Sequence, residues 1–263
     1  MFDIDKIKLP VKHIIAVASG KGGVGKSTVS VNLAISLARQ GFKVALVDAD
    51  IYGPSVPKMM GLEEMTPTVE IVNEKESMTP LEKYGVQVMS LGFFMQKGQS
   101  VIWRGPLAAN AILQLFENTV WDNLDYMIID FPPGTGDIQL TVLQRLTLTG
   151  AIIVTTPQDI SLIDARRAID MFLKDGIAIP LLGIVENMSW FTPKNHPEEK
   201  YFIFGKGGGE KLAEEYNTPL LCQIPLVADV GEAAEQGKSI FNQENKIFVD
   251  NFLKMTDKLI ESL

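Results

Sequence analysis

One cysteine, Cys222, stands among 263 residues. A disulfide within the chain is therefore excluded, and so is a metal site built from this chain's cysteines alone. Cys222 lies in the apolar run Pro219-Leu220-Leu221-Cys222-Gln223-Ile224, where a thiol reads as a core residue. Positive charge is also scarce. Twenty-four lysines and arginines face 32 acids, for a net charge of -8. Non-specific nucleic-acid binding needs a basic face, so no nucleic-acid partner is expected. No stretch approaches the roughly 20 consecutive apolar residues that cross a bilayer. The first ten residues, Met1 to Pro10, have neither the apolar core of a signal peptide nor the Arg/Ser bias of a transit peptide. No membrane partner is expected, and the expected location is cytoplasmic. Internal repeats and low-complexity tracts are missing too.

What is present is an ordinary globular composition, 46% hydrophobic and 21% charged, in a chain long enough to bury a large core. Short apolar strands alternate with amphipathic helices. His13 to Ala18 reads as a buried strand, and Ser27 to Gln40 as a helix with Val31, Ala34, Ile35 and Ala38 at helical spacing. Gly41 ends that helix, and Lys43 to Asp48 is the next strand. Further strands are expected at Tyr126 to Asp130, Ala151 to Thr155, Leu181 to Glu186 and Leu220 to Ile224. Helices are expected near Leu107 to Val120, Leu140 to Leu146, Leu162 to Lys174, Gly209 to Tyr216 and Lys246 to Leu263. This alternation predicts an α/β fold, a mostly parallel sheet with helices on both faces. Glu63 to Gln99 breaks the rhythm and reads as an excursion carrying an edge strand or hairpin. Residues 190–209 hold Pro193, Pro197 and four glycines and read as a long loop. Neither resembles a linker, so residues 1–263 are expected to form a single domain, with 1–10 a lead-in.

The chemistry begins at Gly20-Lys21-Gly22-Gly23-Val24-Gly25-Lys26-Ser27, which fits G-x-x-x-x-G-K-[ST] between a predicted strand and a predicted helix. Glycines let backbone N–H groups turn inward onto phosphate oxygens, and the helix N-terminus favours an anion. Lys26 is expected to reach the β- and γ-phosphates of ATP, Ser27 to hold Mg²⁺, and Thr28 to touch the α-phosphate. A second metal anchor is expected at the end of an apolar strand, and Asp130, closing Tyr126-Met127-Ile128-Ile129-Asp130, fills that place. The segment after it, Phe131-Pro132-Pro133-Gly134-Thr135-Gly136-Asp137, reads as a switch beside the γ-phosphate. Asp48 and Asp50 end the strand after the first helix, where ligands of open parallel sheets sit. Asp50 is expected to orient the attacking water and to lie at the metal, with Asp48 assisting. Lys21 is an extra lysine inside the loop. It is placed to cross to a nucleotide on a second subunit, as arginine fingers do in trans.

At Lys21 to Thr28 the chain resembles the deviant Walker A ATPases, the group of MinD, ParA, the nitrogenase iron protein and the Mrp/ApbC family. Asp48 to Ser55, Trp103-Arg104-Gly105-Pro106, Asp130 to Asp137, Glu186-Asn187-Met188-Ser189 and Gly205 to Gly209 narrow the resemblance to Mrp/ApbC over nearly the whole chain. The resemblance implies a nucleotide sandwich homodimer with Lys21 reaching across, Asp50 in the first switch, Asp137 at the end of the second, Asn187 reading the adenine edge, and Pro225 as the other wall of the base pocket. It also implies a part in iron–sulfur cluster assembly or transfer, with assembly or recipient proteins as partners. Here the sequence departs from the family. Pro193 and His196 stand where the C-x-x-C cysteines of the family's cluster segment would fall. A cluster bridged by such cysteines is not expected of this chain. The small accessory domain often found before the ATPase has no expected counterpart in these residues. Two other functions fit the sequence less well. A MinD- or ParA-like spatial organiser would want a basic amphipathic tail or a basic surface. A metabolic P-loop enzyme would have less use for Lys21.

Overall fold

The computed structural model describes residues 5–72, 74–95, 105–193, 195–196, 198–242 and 246–263. Met1, Gln99, Trp103, Arg104 and Pro197, named above, lie outside the described residues.

The chain enters at the centre of the sheet. Strand β1 (Val11–Ala18) leads through the glycine-rich turn into helix α1 (Lys26–Arg39), and β2 (Val44–Asp48) follows. A single helical turn, α2 (Val56–Met59), precedes the excursion. There, β3 (Thr68–Val72) and β4 (Lys75–Thr79) form an antiparallel hairpin of their own, and β5 (Leu81–Lys83) and β6 (Val86–Ser90) return to the main sheet. The remaining elements alternate as α3 (Gly105–Glu117), β7 (Leu124–Asp130), α4 (Asp137–Arg145), β8 (Gly150–Thr155), α5 (Asp159–Leu173), β9 (Leu181–Glu186), α6 (Gly208–Glu215), β10 (Leu220–Gln223), α7 (Ala228–Glu235) and α8 (Lys246–Glu261).

Among the described residues the main sheet has the order β10-β9-β8-β1-β7-β2-β6-β5. Its pairs are parallel except the last, where β5 runs antiparallel to β6. The excursion carries the expected edge strand and hairpin: β5 closes the sheet antiparallel to β6, and β3 pairs with β4. Val86–Ser90 lies one strand further in, paired with β2 in parallel.

Strand periodicity sends alternate side chains to opposite faces, which gives two cores. Ile14, Ala16 and Ala18 join the side chains of α3, α4, α5 and α6 on one face. Ile15 and Val17 join α1 and α8 on the other. Helix α8 shows why its tail packs rather than floats: Phe248, Phe252, Met255 and Leu259 recur at helical spacing and are all buried. Each phenylalanine buried this way contributes about 1.5–3 kcal/mol. No helix among the described residues is long and apolar enough to cross a membrane.

Register then builds the site. Asp130 of β7 lies opposite Val17 of β1 on one side and Asp48 of β2 on the other, and Asp48 lies opposite Ser90 of β6. All four stand at the carboxyl ends of parallel strands, beside the start of α1.

Candidate functional site

Two glycines explain the shape of the turn between β1 and α1. A Cβ on Gly20 would lie 2.0 Å from the backbone carbonyl of Asp164 in α5, so only glycine lets the turn pack there. Gly25 has φ 85°, in the left-handed region, and a Cβ on it would lie 2.1 Å from Asn187 Nδ2. Val24 between them is buried, whereas Gly22 and Gly23 are exposed at the loop crest. Gly25 caps α1 without any side-chain hydrogen bond. The first N–H groups of a helix have no intrahelical partners. This uncapped end is therefore a set of free donors with the positive end of a helix dipole behind them.

Beside these donors is a buried charge cluster. Lys26 Nζ lies 2.7 Å from Asp130 Oδ1 and 3.9 Å from Asp50 Oδ2. Ser27 Oγ donates to Asp130 Oδ2 at 2.6 Å, and Ser30 Oγ donates to Asp130 Oδ1 at 2.7 Å. Asp130 is fully buried and Lys26 is 6% exposed. Asp48 accepts from the Asp50 N–H through Oδ1, and from the Val56 N–H and Ser90 Oγ through Oδ2. It thereby ties the end of β2 to the start of α2 and to β6. Burial, and then the neighbouring Asp130 charge, push the Asp48 carboxyl up to about 8 despite Lys26. Burial also raises Asp50, with Lys26 opposing. Even with Asp48 holding its proton, one buried cation faces the two carboxylates of Asp50 and Asp130, so the cluster favours a further positive charge. A hydroxyl and carboxylates are the hard oxygen donors that Mg²⁺ takes, and Ser27, Asp130 and Asp50 supply them here.

Thr28 is half-buried one residue further along α1. Lys21 is half-buried at the rim, with its carbonyl accepting from Ser19 Oγ at 2.9 Å. Its ammonium takes part in none of the ion pairs among the described residues. Asn187, at the end of β9, donates from Nδ2 to the Val24 carbonyl at 2.9 Å and so braces the phosphate loop. Pro225 lines a cleft of about 320 Å³ together with Trp190, Phe191, Pro193, Leu226 and Val227. Asn187 lies outside that lining. Asp137 is exposed in the first turn of α4.

Among the described residues, 190–207 carry no helix. Phe191 and Tyr201 close them by an antiparallel bridge, and Phe191 also bridges Leu226. His196 Nδ1 lies 3.7 Å from Glu198 Oε1 and 3.8 Å from Glu199 Oε1. Cys222 is buried in β10 with Sγ 3.3 Å from Met255 Sδ, and burial pushes its thiol up to about 12. A buried thiol held protonated does not fit the four-thiolate ligation usual for a [4Fe–4S] cluster.

Three participants escape a reading of the sequence. Ser30 follows Lys26 by four residues and Ser27 by three, so helical spacing alone places it on their face. Ser90 becomes a partner of Asp48 only through strand register. Glu186, almost fully buried, accepts from the Gly209 N–H at the start of α6 and from Gln223 Nε2 at 2.9 Å, which fixes the strand end that carries Asn187.

Comparison with known proteins follows the same lines. The ParA family model described as NUBPL iron-transfer P-loop NTPase matches residues 10–260. An iron-sulfur cluster carrier protein of Haemophilus influenzae is 48% identical over 257 residues, which cover 96% of this chain and 67% of the relative. A nucleotide-binding protein from Archaeoglobus fulgidus, solved in complex with ADP, is 37% identical with a TM-score of 0.76, covering 91% of this chain and 93% of that one. The cell division ATPase MinD of Pyrococcus furiosus shares the fold at a TM-score of 0.67 and 22% identity, covering 95% of this chain and 99% of that one. The chain belongs to the matched family, the NUBPL-type iron-transfer P-loop NTPases of the ParA group.

Proposed function

We propose that the chain is a cytoplasmic, Mg²⁺-dependent ATPase. It works as a single unit, pairs with a second copy around ATP, and serves iron–sulfur cluster assembly or transfer through partner proteins. The observation that carries the nucleotide chemistry is the convergence of Lys26, Ser27 and Asp130 at the uncapped start of α1. In this reading the loop Gly20 to Thr28 wraps the phosphates with its N–H groups, and Lys26 turns its charge from Asp130 toward the β- and γ-phosphates. Ser27, Asp50 and Asp130, partly through water, would hold Mg²⁺, whose charge offsets that of the phosphates. Asp50, 3.9 Å from Lys26 Nζ, orients the water that attacks the γ-phosphorus. Lys21, without a carboxylate partner of its own among the described residues, reaches the nucleotide of the second copy. Asn187 and Pro225 flank the base.

The iron–sulfur role is supported by the carrier proteins that the chain is similar to. The cluster is cargo in this reading. The chain's one thiol is protonated and packed on Met255, and residues 190–207 offer no thiol, so they serve docking or structure rather than ligation. The MinD-like alternative is less well supported, because the apolar face of α8 is spent on the core.

Anaerobic incubation with iron and sulfide, followed by an absorbance spectrum and a metal count, tests the cargo reading. The expected result is less than one iron per dimer after desalting, alongside MgATP turnover that rises when a cluster-bearing partner is added. About four irons per dimer with a cluster absorbance band, lost in Cys222→Ser or His196→Ala, would overturn it.

A further inference from the structure

Between Phe131 and Gly134 the chain runs Pro132-Pro133, two residues with no N–H to donate. The segment's backbone donors lie at its ends. Phe131 N–H donates to the Val17 carbonyl at 3.0 Å, and Gly134 N–H donates to the Ser19 carbonyl at 3.1 Å. Between them only carbonyls are left to hold. Both are held by one side chain. Gln139 Nε2 donates to Pro132 O at 3.1 Å and to Pro133 O at 3.0 Å. Gln139 lies in the first turn of α4 and is 4% exposed. The N-cap of that helix, Gly136, offers no side chain, so nothing else in the turn does this work. Ile138, Val142 and Leu143 fix α4 in the core shared with Phe131, whose ring lies 6.0 Å from that of Phe172. Ser19 in turn ties the same segment to the Lys21 carbonyl.

We propose that Gln139 is a positioning residue that makes Pro132-Pro133 and α4 move as one body, so that a change at the phosphate loop reaches α4 instead of being absorbed in the segment between. This rests on the reading of the chain as an ATP-driven switch. Without the two hydrogen bonds the segment between Asp130 and Gly136 would retain its pins at Val17 and Ser19 and the packing of Phe131, but Pro132 and Pro133 would lose their hydrogen-bonded link to the helix. The phosphate loop would still bind nucleotide, because Lys26, Ser27 and Asp130 do not touch Gln139.

Hydrogen exchange of residues 131–145 in the full chain, with MgADP and with a non-hydrolysable ATP analogue, tests this, together with steady-state ATP turnover. Gln139→Met keeps the length and packs in the same space without donors. Gln139→Glu keeps the shape and sets a carboxylate against two carbonyl oxygens. In wild type, exchange across α4 should differ between the two nucleotides. In both variants that difference should vanish while ADP affinity stays within about twofold. The kcat should fall by about tenfold with KM unchanged, the scale at which a misplaced reacting group shows. Retained ADP affinity demonstrates a folded variant. A variant that keeps both the α4 difference and the wild-type kcat overturns the role of Gln139 alone. A wild-type chain whose exchange is the same with both nucleotides overturns the switch reading, and the Gln139 proposal with it.

Discussion

Replacing Lys26 with methionine should destabilise the nucleotide-free protein as well as abolish its nucleotide binding. Lys26 is the one cation among Asp48, Asp50 and Asp130, with its Nζ 2.7 Å from a carboxylate that is fully buried. Methionine retains the stem and its packing, so the change isolates the charge. Breaking a buried ion pair on one side costs about 3–5 kcal/mol, because the other charge is left behind. Here Asp130 retains the Ser27 and Ser30 hydroxyls, each a charge-assisted bond, which places the loss near the lower bound, about 3 kcal/mol. A chain of this length unfolds with an entropy of about 0.55 kcal/mol/K, so the thermal midpoint in EDTA should drop by about 5 °C. The double variant Lys26→Met/Asp130→Asn should recover much of that loss, because the abandoned carboxylate is gone, giving a coupling of about 2 kcal/mol in the mutant cycle. The exposed Lys12–Asp125 pair is the control, and its removal should move the midpoint little. A Lys26→Met protein as stable as wild type, or one that Asp130→Asn does not rescue, would refute the charge balance described for the site.

Two further outcomes follow from the same burial. Folded Asp48 holds its proton up to about pH 8, whereas the unfolded chain releases it near 3.8. Between those values the folded state binds more protons, so stability should fall as pH rises through that window and level off above it; thermal midpoints in EDTA should show that fall in wild type and a flatter profile in Asp48→Asn. Cys222, pushed up to about 12 and packed on Met255, should resist iodoacetamide at pH 8 in the native chain and react on unfolding in urea. Rapid native labelling would mean that β10 and α8 separate readily.

Much of the fold is legible in the sequence because its signals are local. The phosphate loop, α1 and the buried strands announce themselves by glycine spacing and apolar periodicity, and β9 falls where expected, from Leu181 to Glu186. Two elements were invisible for physical reasons. Helix α2 is a single turn containing Pro57, too short for any periodicity. Helix α7 contains Gly231 and buries only Ala233, so no apolar stripe marks it. The position of Val86–Ser90 inside the sheet depends on β5 folding back over it, a tertiary pairing that a five-residue run does not encode. At the site, Asp130 and Lys26 could be named from motif and strand end. The Asp48–Ser90 contact and the bond from Asn187 to Val24 join residues 42 and 163 positions apart, and only the sheet brings them together. Gln139 was hidden because its partners are backbone carbonyls.

Mixing two inactive variants measures most directly whether the site is completed by a second copy. Lys21→Ala and Asp50→Ala should each turn over ATP slowly. If Lys21 acts on its partner's nucleotide, a mixed dimer contains one site with both residues intact, Asp50 from one protomer and Lys21 from the other. An equimolar mixture should then recover about a quarter of wild-type ATPase activity, since half the dimers are mixed and half their sites are whole. A mixture no more active than the two variants measured apart would contradict a Lys21 that works across the dimer.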